Sequence, residues 1–185
     1  MKKLVNIYLA LFGLLALSCS CSNDKDMVVF YFPGENEFQN RMTWQWLKQC
    51  SEAHEISDTT SVDEQVYDEI KSELAKATPA DSIGYQPTLC LLIDQSHVYL
   101  DVNNNKCMIE EGDKPTCMMM TNRGAYLIKK ISGFYRFYDK EHAEKYDPGA
   151  REFGYVDNAK EFTCQLPENE EEPELECIKV LVKVK

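Results

Sequence analysis

Cys50 and His54 stand four residues apart in a segment of helical spacing, which puts a thiol and an imidazole on one face. That pairing would suit a thiol nucleophile or two ligands of a metal. No CxxC or HExxH accompanies it, so a half-buried thiol beside a surface histidine is the plainer reading. In "DQSHVYLDVNNN", Asp94, His97 and Asp101 surround one hairpin, with His97 and Asp101 expected on its polar face. Hydrolases use aspartate–histidine pairs, but no GxSxG element supplies a nucleophile here. The run from Asp101 to Asn105 imitates the start of a calcium loop. It then places Lys106 where that loop needs glycine and Gly112 where it needs a bidentate glutamate, so it reads as an asparagine-rich turn. No catalytic, cofactor or metal site is expected. A small hydrolase or thiol-redox enzyme built on Cys50 and His54, or on His97, is the alternative.

Two stretches point instead to binding. Tyr126, Phe134, Arg136 and Tyr138, near a run of methionines, are residue types that interfaces favour, and Arg136 could stack between Phe134 and Tyr138. The plainer reading is a sheet face lying under a helix. "PENEEEPELE" (167–176) carries six glutamates and reads as a solvated loop or a face for a basic partner.

The elements that must position these residues begin with "MVVFYF" (27–32), a β-branched and aromatic strand ended by Pro33-Gly34. Phe38, Met42, Trp46, Cys50 and Ala53 then mark one stripe of a helix over 36–53. "SDTTS" interrupts, and a capping box from Ser61 to Glu64 opens a second helix that Pro79 stops. The rest is strand-like. "TLCLLID" (88–94) is apolar on both faces, as in a central strand, and "HVYLDV" (97–102) alternates. Further strands are expected at 117–120, 125–131, 134–138, 161–166 and 175–184, with a hairpin at Ser132-Gly133 and a short helix at 140–146. The expected fold is α+β: an N-terminal strand and two helices packed on one face of a mainly antiparallel sheet of about five to seven strands.

Six cysteines fall in this body: Cys50, Cys90, Cys107, Cys117, Cys164 and Cys177. In an exported chain an even set suggests disulfides, and six allow fifteen connectivities. Local reasoning favours Cys107 with Cys117, Cys164 with Cys177, and Cys50 with Cys90, each worth about 2–4 kcal/mol if unstrained.

The first residues bear on export. Lys2 and Lys3 precede an apolar run from Leu4 to Leu17, too short to span a bilayer and ending in small residues before Cys19. "LALSC" (15–19) resembles the lipobox of bacterial lipoproteins. That resemblance implies cleavage before Cys19, lipidation of its thiol and attachment to a membrane of the cell envelope, the outer membrane foremost. The acidic "SNDKD" behind it resembles a surface-export signal and also serves as a tether. The expected organisation is a signal peptide (1–18), a tether behind lipidated Cys19 (19–26) and one domain (27–185). Losing Lys2 and Lys3 leaves 18 basic residues against 31 acidic ones, a net charge of −13. That balance excludes nucleic acid as a partner and favours a cationic protein or peptide. The leading expectation is a membrane-anchored, non-enzymatic binding module; a structural subunit of an envelope complex is a further alternative.

Overall fold

The computed structural model describes residues 25–33, 42–111, 114–158, 161 and 177–185. Their fold is α+β, built on a single eight-stranded sheet. In chain order the elements are β1 (Met27–Tyr31), α1 (Trp44–Ala53), β2 (Asp58–Val62), α2 (Glu64–Ala75), β3 (Thr78–Pro79), β4 (Leu89–Ile93), β5 (Ser96–Leu100), β6 (Lys106–Glu111), β7 (Lys114–Met119), α3 (Asn122–Ile131), a 3₁₀ turn (Phe134–Phe137), α4 (Lys140–Tyr146), α5 (Pro148–Phe153) and β8 (Ile178–Val184). The strands run β2-β8-β1-β4-β5-β6-β7-β3 across the sheet. Every neighbouring pair is antiparallel except β2 with β8.

Alternation along the strands gives the sheet two apolar faces. Val29, Tyr31, Leu89, Leu91, Val98, Leu100, Val180 and Val182 point to one face, where they join Tyr67 and Ile70 of α2 and Leu127 and Ile128 of α3. Phe30, Cys90 and Tyr99 point to the other and meet Leu47 of α1. The expectation that the helices share one face is therefore corrected: α1 crosses to the opposite side. The cause lies in β1, β4 and β5, whose alternate residues form a second buried apolar patch that needs a cover. Burying a side chain such as Leu47 or Leu91 completely stabilises by about 1.5–3 kcal/mol.

Several local readings hold. β4 is buried on both faces, as its unbroken apolar run implied. β4 and β5 form a tight hairpin whose two turn residues, Asp94 (φ 47°) and Gln95 (φ 66°), are left-handed, as the twist-matching hairpin turns require. Asn105 (φ 57°) is left-handed at the end of the asparagine-rich turn.

Other readings change. "SDTTS" is strand β2 rather than an interruption, and Asp63, not Ser61, precedes α2. Between Cys107 and Cys117 the chain is largely strand, in β6 and β7. Residues 125–131 form helix α3, not a strand. Thr121 caps it by accepting from the Gly124 amide at 3.0 Å, and Ala125, Leu127, Ile128 and Ile131 form its apolar side while Asn122 and Lys130 stay exposed. Gly133 (φ 74°) ends α3 in the left-handed conformation that helix C-termini favour. The aromatic run behind it is therefore a 3₁₀ turn rather than the second arm of a hairpin. Asp147-Pro148-Gly149 does not close α4 into a loop; Asp147 caps α5, and Pro148 takes its first turn. Residues 162–166 of the strand expected at 161–166, residues 34–41 and the glutamate run lie outside the described residues.

Candidate binding site

The segment after α3 folds back across the end of the helical layer. Four of its rings, spaced four residues apart, form a ladder. Phe134 stacks on Tyr138 with centroids 4.8 Å apart, Tyr138 lies 5.7 Å from His142, and His142 lies 4.6 Å from Tyr146. The 3₁₀ turn presents the first two rings and α4 the last two. Opposite them, the β5–β6 turn contributes Val102 and Asn103. That turn is fixed by Asp101, whose carboxylate accepts from the Gln86 and Asn103 amides at 2.9 and 3.0 Å and from Asn104 Nδ2 at 2.8 Å. Between ladder and turn lies a cleft with Ala143, Tyr135 and Asp147 at its base. Its enclosed part measures about 30 Å³, the room taken by one water.

The base is polar and almost dry. Lys129 of α3 has no exposed side-chain surface; its ammonium donates to Asp147 Oδ2 and, at 3.3 Å, to the Val102 carbonyl. Asp147 Oδ1 accepts from the Gly149 and Ala150 amides at 2.8 and 3.0 Å. Burial pulls the Lys129 ammonium below the usual lysine range, and neighbouring Asp147 works in the opposite direction. Tyr135 is 1% exposed, and its hydroxyl sits beside Asp147 without a hydrogen bond of ordinary geometry. Burial, followed by the Asp147 charge, raises its pKa far above the tyrosine range, so the phenol keeps its proton.

Of the four residues expected to form a binding surface, two reach this cleft. Phe134 and Tyr138 line it. Tyr126 is only 4% exposed and packs on Tyr135 and Phe153 at 5.8 and 5.4 Å. Arg136 turns away to Asp58 of β2 at 3.2 Å and lies over the Phe137 ring at 4.9 Å, not between Phe134 and Tyr138. Tyr126 and Phe134 are buried, but on helix α3 and the 3₁₀ turn rather than on a sheet face under a helix, and the site itself rests on Lys129, Tyr135 and Asp147. Sequence offered one signal for them. An aspartate directly before Pro-Gly is a helix-cap signature, and such a cap can be pulled into the core.

A second cleft, of about 200 Å³, opens where α2 ends over the β4–β5 hairpin, between Leu74, Ile93, Val98 and Ile109. Lys71 and Asp94 stand at its mouth, 2.5 Å apart, and Tyr67 also donates to Asp94. Both clefts are smaller than the roughly 300–1,000 Å³ of small-molecule sites; the second has room for a side chain, the first only for the tip of one.

The constellations singled out for chemistry come apart. The His54 ring meets the Cys50 carbonyl at 2.7 Å, a backbone contact rather than a contact with the thiol. Asp94 belongs to the α2 cleft and Asp101 to the β5–β6 turn, while His97 lies on the α1 side of the sheet, 3.7 Å from Glu110. Glu110 also accepts from Tyr99 Oη at 2.8 Å and from Lys48 at 3.1 Å through both oxygens, which ties α1 to β6. Burial, reinforced by Lys48, lowers the His97 pKa.

The thiols are shifted against nucleophilic use. Burial raises Cys50 and Cys117, and pushes Cys90 and Cys107 up to about 12. Cys50, Cys90, Cys107 and Cys117 carry free thiols in the structure. The expected Cys107–Cys117 bridge is corrected by the strand register. Cys107 opposes Met118 and Cys117 opposes Met108, so the two side chains leave opposite faces of the sheet. Cys50 and Cys90 do share the α1 face, where Cys177 also packs, but Cys50 and Cys90 are not bridged there. Cys164 and the lipidation candidate Cys19 lie outside the described residues. Among the described residues, no group of three or more histidine, cysteine or acidic side chains is placed to hold a metal ion, and no helix is long and apolar enough to cross a membrane.

No family model matches the chain, and neither a curated protein nor a solved structure matches it.

Proposed function

We propose that this chain is a lipid-anchored module of the bacterial cell envelope, held through Cys19, that binds a protein or peptide without acting on it as an enzyme. The observation that carries the reading is the aromatic cleft: a ring ladder over a buried Lys129–Asp147 pair, with room for the tip of a side chain but not for a metabolite. The mature net charge of −13 favours a basic partner, because long-range attraction raises the rate of encounter. The raised thiol pKa values support binding over thiol chemistry.

The test uses the mature chain titrated with poly-lysine and with poly-glutamate over rising salt. Binding of poly-lysine alone, weakening as the Debye length shrinks from about 10 Å at 0.1 M toward about 3 Å at 1 M, is the expected result. Salt-insensitive binding, or equal binding of both polymers, overturns the electrostatic part of the reading. For the anchor, Cys19→Ser should release the protein from membranes into the soluble fraction; retention in the membrane fraction sinks it.

A further inference from the structure

We infer that the aromatic cleft selects a neutral hydroxyl group carried on an aromatic stem, namely a tyrosine side chain of the bound partner, with its oxygen seated between Tyr135 and Asp147. The inference rests on the binding reading above and names what that site takes.

The base of the cleft is asymmetric in its hydrogen bonding. Tyr135 offers a buried O–H that sits beside Asp147 without a hydrogen bond of ordinary geometry. Asp147 offers an acceptor. A carboxylate has about four lone-pair sites, and the Gly149 and Ala150 amides and Lys129 take three of them. A group that accepts from Tyr135 and donates to Asp147 satisfies both. A hydroxyl does both through a single oxygen, and the enclosed space of about 30 Å³ admits a group of that size.

Charge narrows the choice further. An ammonium has no lone pair to accept the Tyr135 proton and would sit beside the Lys129 ammonium. A carboxylate would face Asp147. The Lys129–Asp147 pair is neutral as a unit and selects a neutral head. The stem must then leave through a mouth walled by Tyr138, His142 and Tyr146, the last of them 57% exposed. Offset and edge-on ring contacts favour an aromatic stem over an aliphatic one there. An unpartnered buried hydroxyl costs free energy in the unoccupied state, and a phenol entering the cleft recovers it.

The experiment compares peptides Gly-Gly-Xaa-Gly-Gly, with Xaa tyrosine, phenylalanine or 4-aminomethylphenylalanine, and methyl glucoside, binding to the mature chain and to its Tyr135→Phe variant. The tyrosine peptide should bind about five- to tenfold more tightly than the phenylalanine peptide, and Tyr135→Phe should bring that ratio close to one. Tyr146→Ala, a change at an exposed site that leaves the core untouched, should weaken the tyrosine and phenylalanine peptides alike by about threefold. Equal binding of tyrosine and phenylalanine by the unaltered chain overturns the inference. So does preference for the aminomethyl peptide, or a tyrosine preference that survives Tyr135→Phe. Binding of methyl glucoside in place of the tyrosine peptide overturns the phenol assignment. If no peptide binds, the gap belongs to a water and the inference fails. Salt-sensitive binding of poly-lysine that persists in such a case leaves the wider reading standing, so the two failures are distinguishable.

Discussion

The two faces of the sheet solve the same problem with unequal means. One face is covered by four helices and a 3₁₀ turn, and its core joins residues from β1, β4, β5, β8 and α2 through α5. Among the described residues, the other carries a single ten-residue helix, whose Leu47 packs with five further buried apolar residues, pinned at one side by the Lys48–Glu110–Tyr99 bonds. The thick face can hold an ion pair out of water, and Lys129 with Asp147 is such a pair. The thin face keeps its charges near solvent: the Lys48 and Glu110 side chains are 32% and 16% exposed. Burial in the thick layer thus turns ordinary charged residues into a shaped polar base, whereas the thin layer uses the same residue types as a clasp.

Removing one partner of each ion pair should break this contrast open. Lys129→Ala leaves the Asp147 carboxylate unpaired in the core and should cost about 3–5 kcal/mol, read by urea denaturation. Lys48→Ala should cost no more than about 1 kcal/mol, because solvent screens the exposed pair. Equal losses would mean that the two faces are equally dry.

Core truncations sharpen the same comparison at smaller differences. Ile128→Ala, in the multi-element core, should cost about 3–5 kcal/mol. Leu47→Ala, under a single helix free to settle inward, should fall near 2 kcal/mol. Both are read from denaturation midpoints.

Acid should reach the two layers by different routes. Glu73 accepts from Lys76 and from Thr121 Oγ1, each at 2.6 Å, and these bonds hold its pKa below the ordinary glutamate value. A lowered carboxylate stabilises above its unfolded pKa, and that contribution is lost as pH falls through the folded one. Stability should therefore drop on acidification below about pH 4.5, and Glu73→Gln should flatten the drop in thermal melts. His97 also costs stability on acidification, but it begins to do so at a higher pH than Glu73. Its folded pKa is depressed, so the unfolded chain takes up the proton first as pH falls below about 6.5. His97→Phe should remove that shallower slope.

The smallest effect concerns thiols. Native alkylation with iodoacetamide should modify half-buried Cys117 well before Cys90 and Cys107, whose pKa values of about 12 keep them protonated. Rapid labelling of Cys90 would show that α1 opens readily.

What could be read from sequence follows the same division. The strands β1, β4 and β5 were legible because a pleat of period two leaves a sharp pattern, and the two-sided burial of β4 was visible in its unbroken run. Helix α3 was not, although Ala125, Ile128 and Ile131 recur at helical spacing, because the short run Ala125 to Ile131 is rich enough in apolar residues to pass for a strand. Its first and last turns were the better witnesses, in Thr121 as a cap and Gly133 as a left-handed stop. Phe134 and Tyr138 could be picked out by residue type. Lys129, Tyr135 and Asp147 could not, since nothing in a sequence says that a lysine beside a hydrophobic run will point inward.

The place of β8 between β1 and β2 sets an order of events. The strand synthesised last of those described inserts between two that were made more than a hundred residues earlier, and Val180 ends up opposite both Val29 and Asp58. The left side of the sheet therefore cannot close until residues 178–184 have emerged. Contacts of such long range slow folding and keep the growing chain open. Shortening the chain by its last eight residues should leave β1 with one neighbour and β2 with none among the described strands.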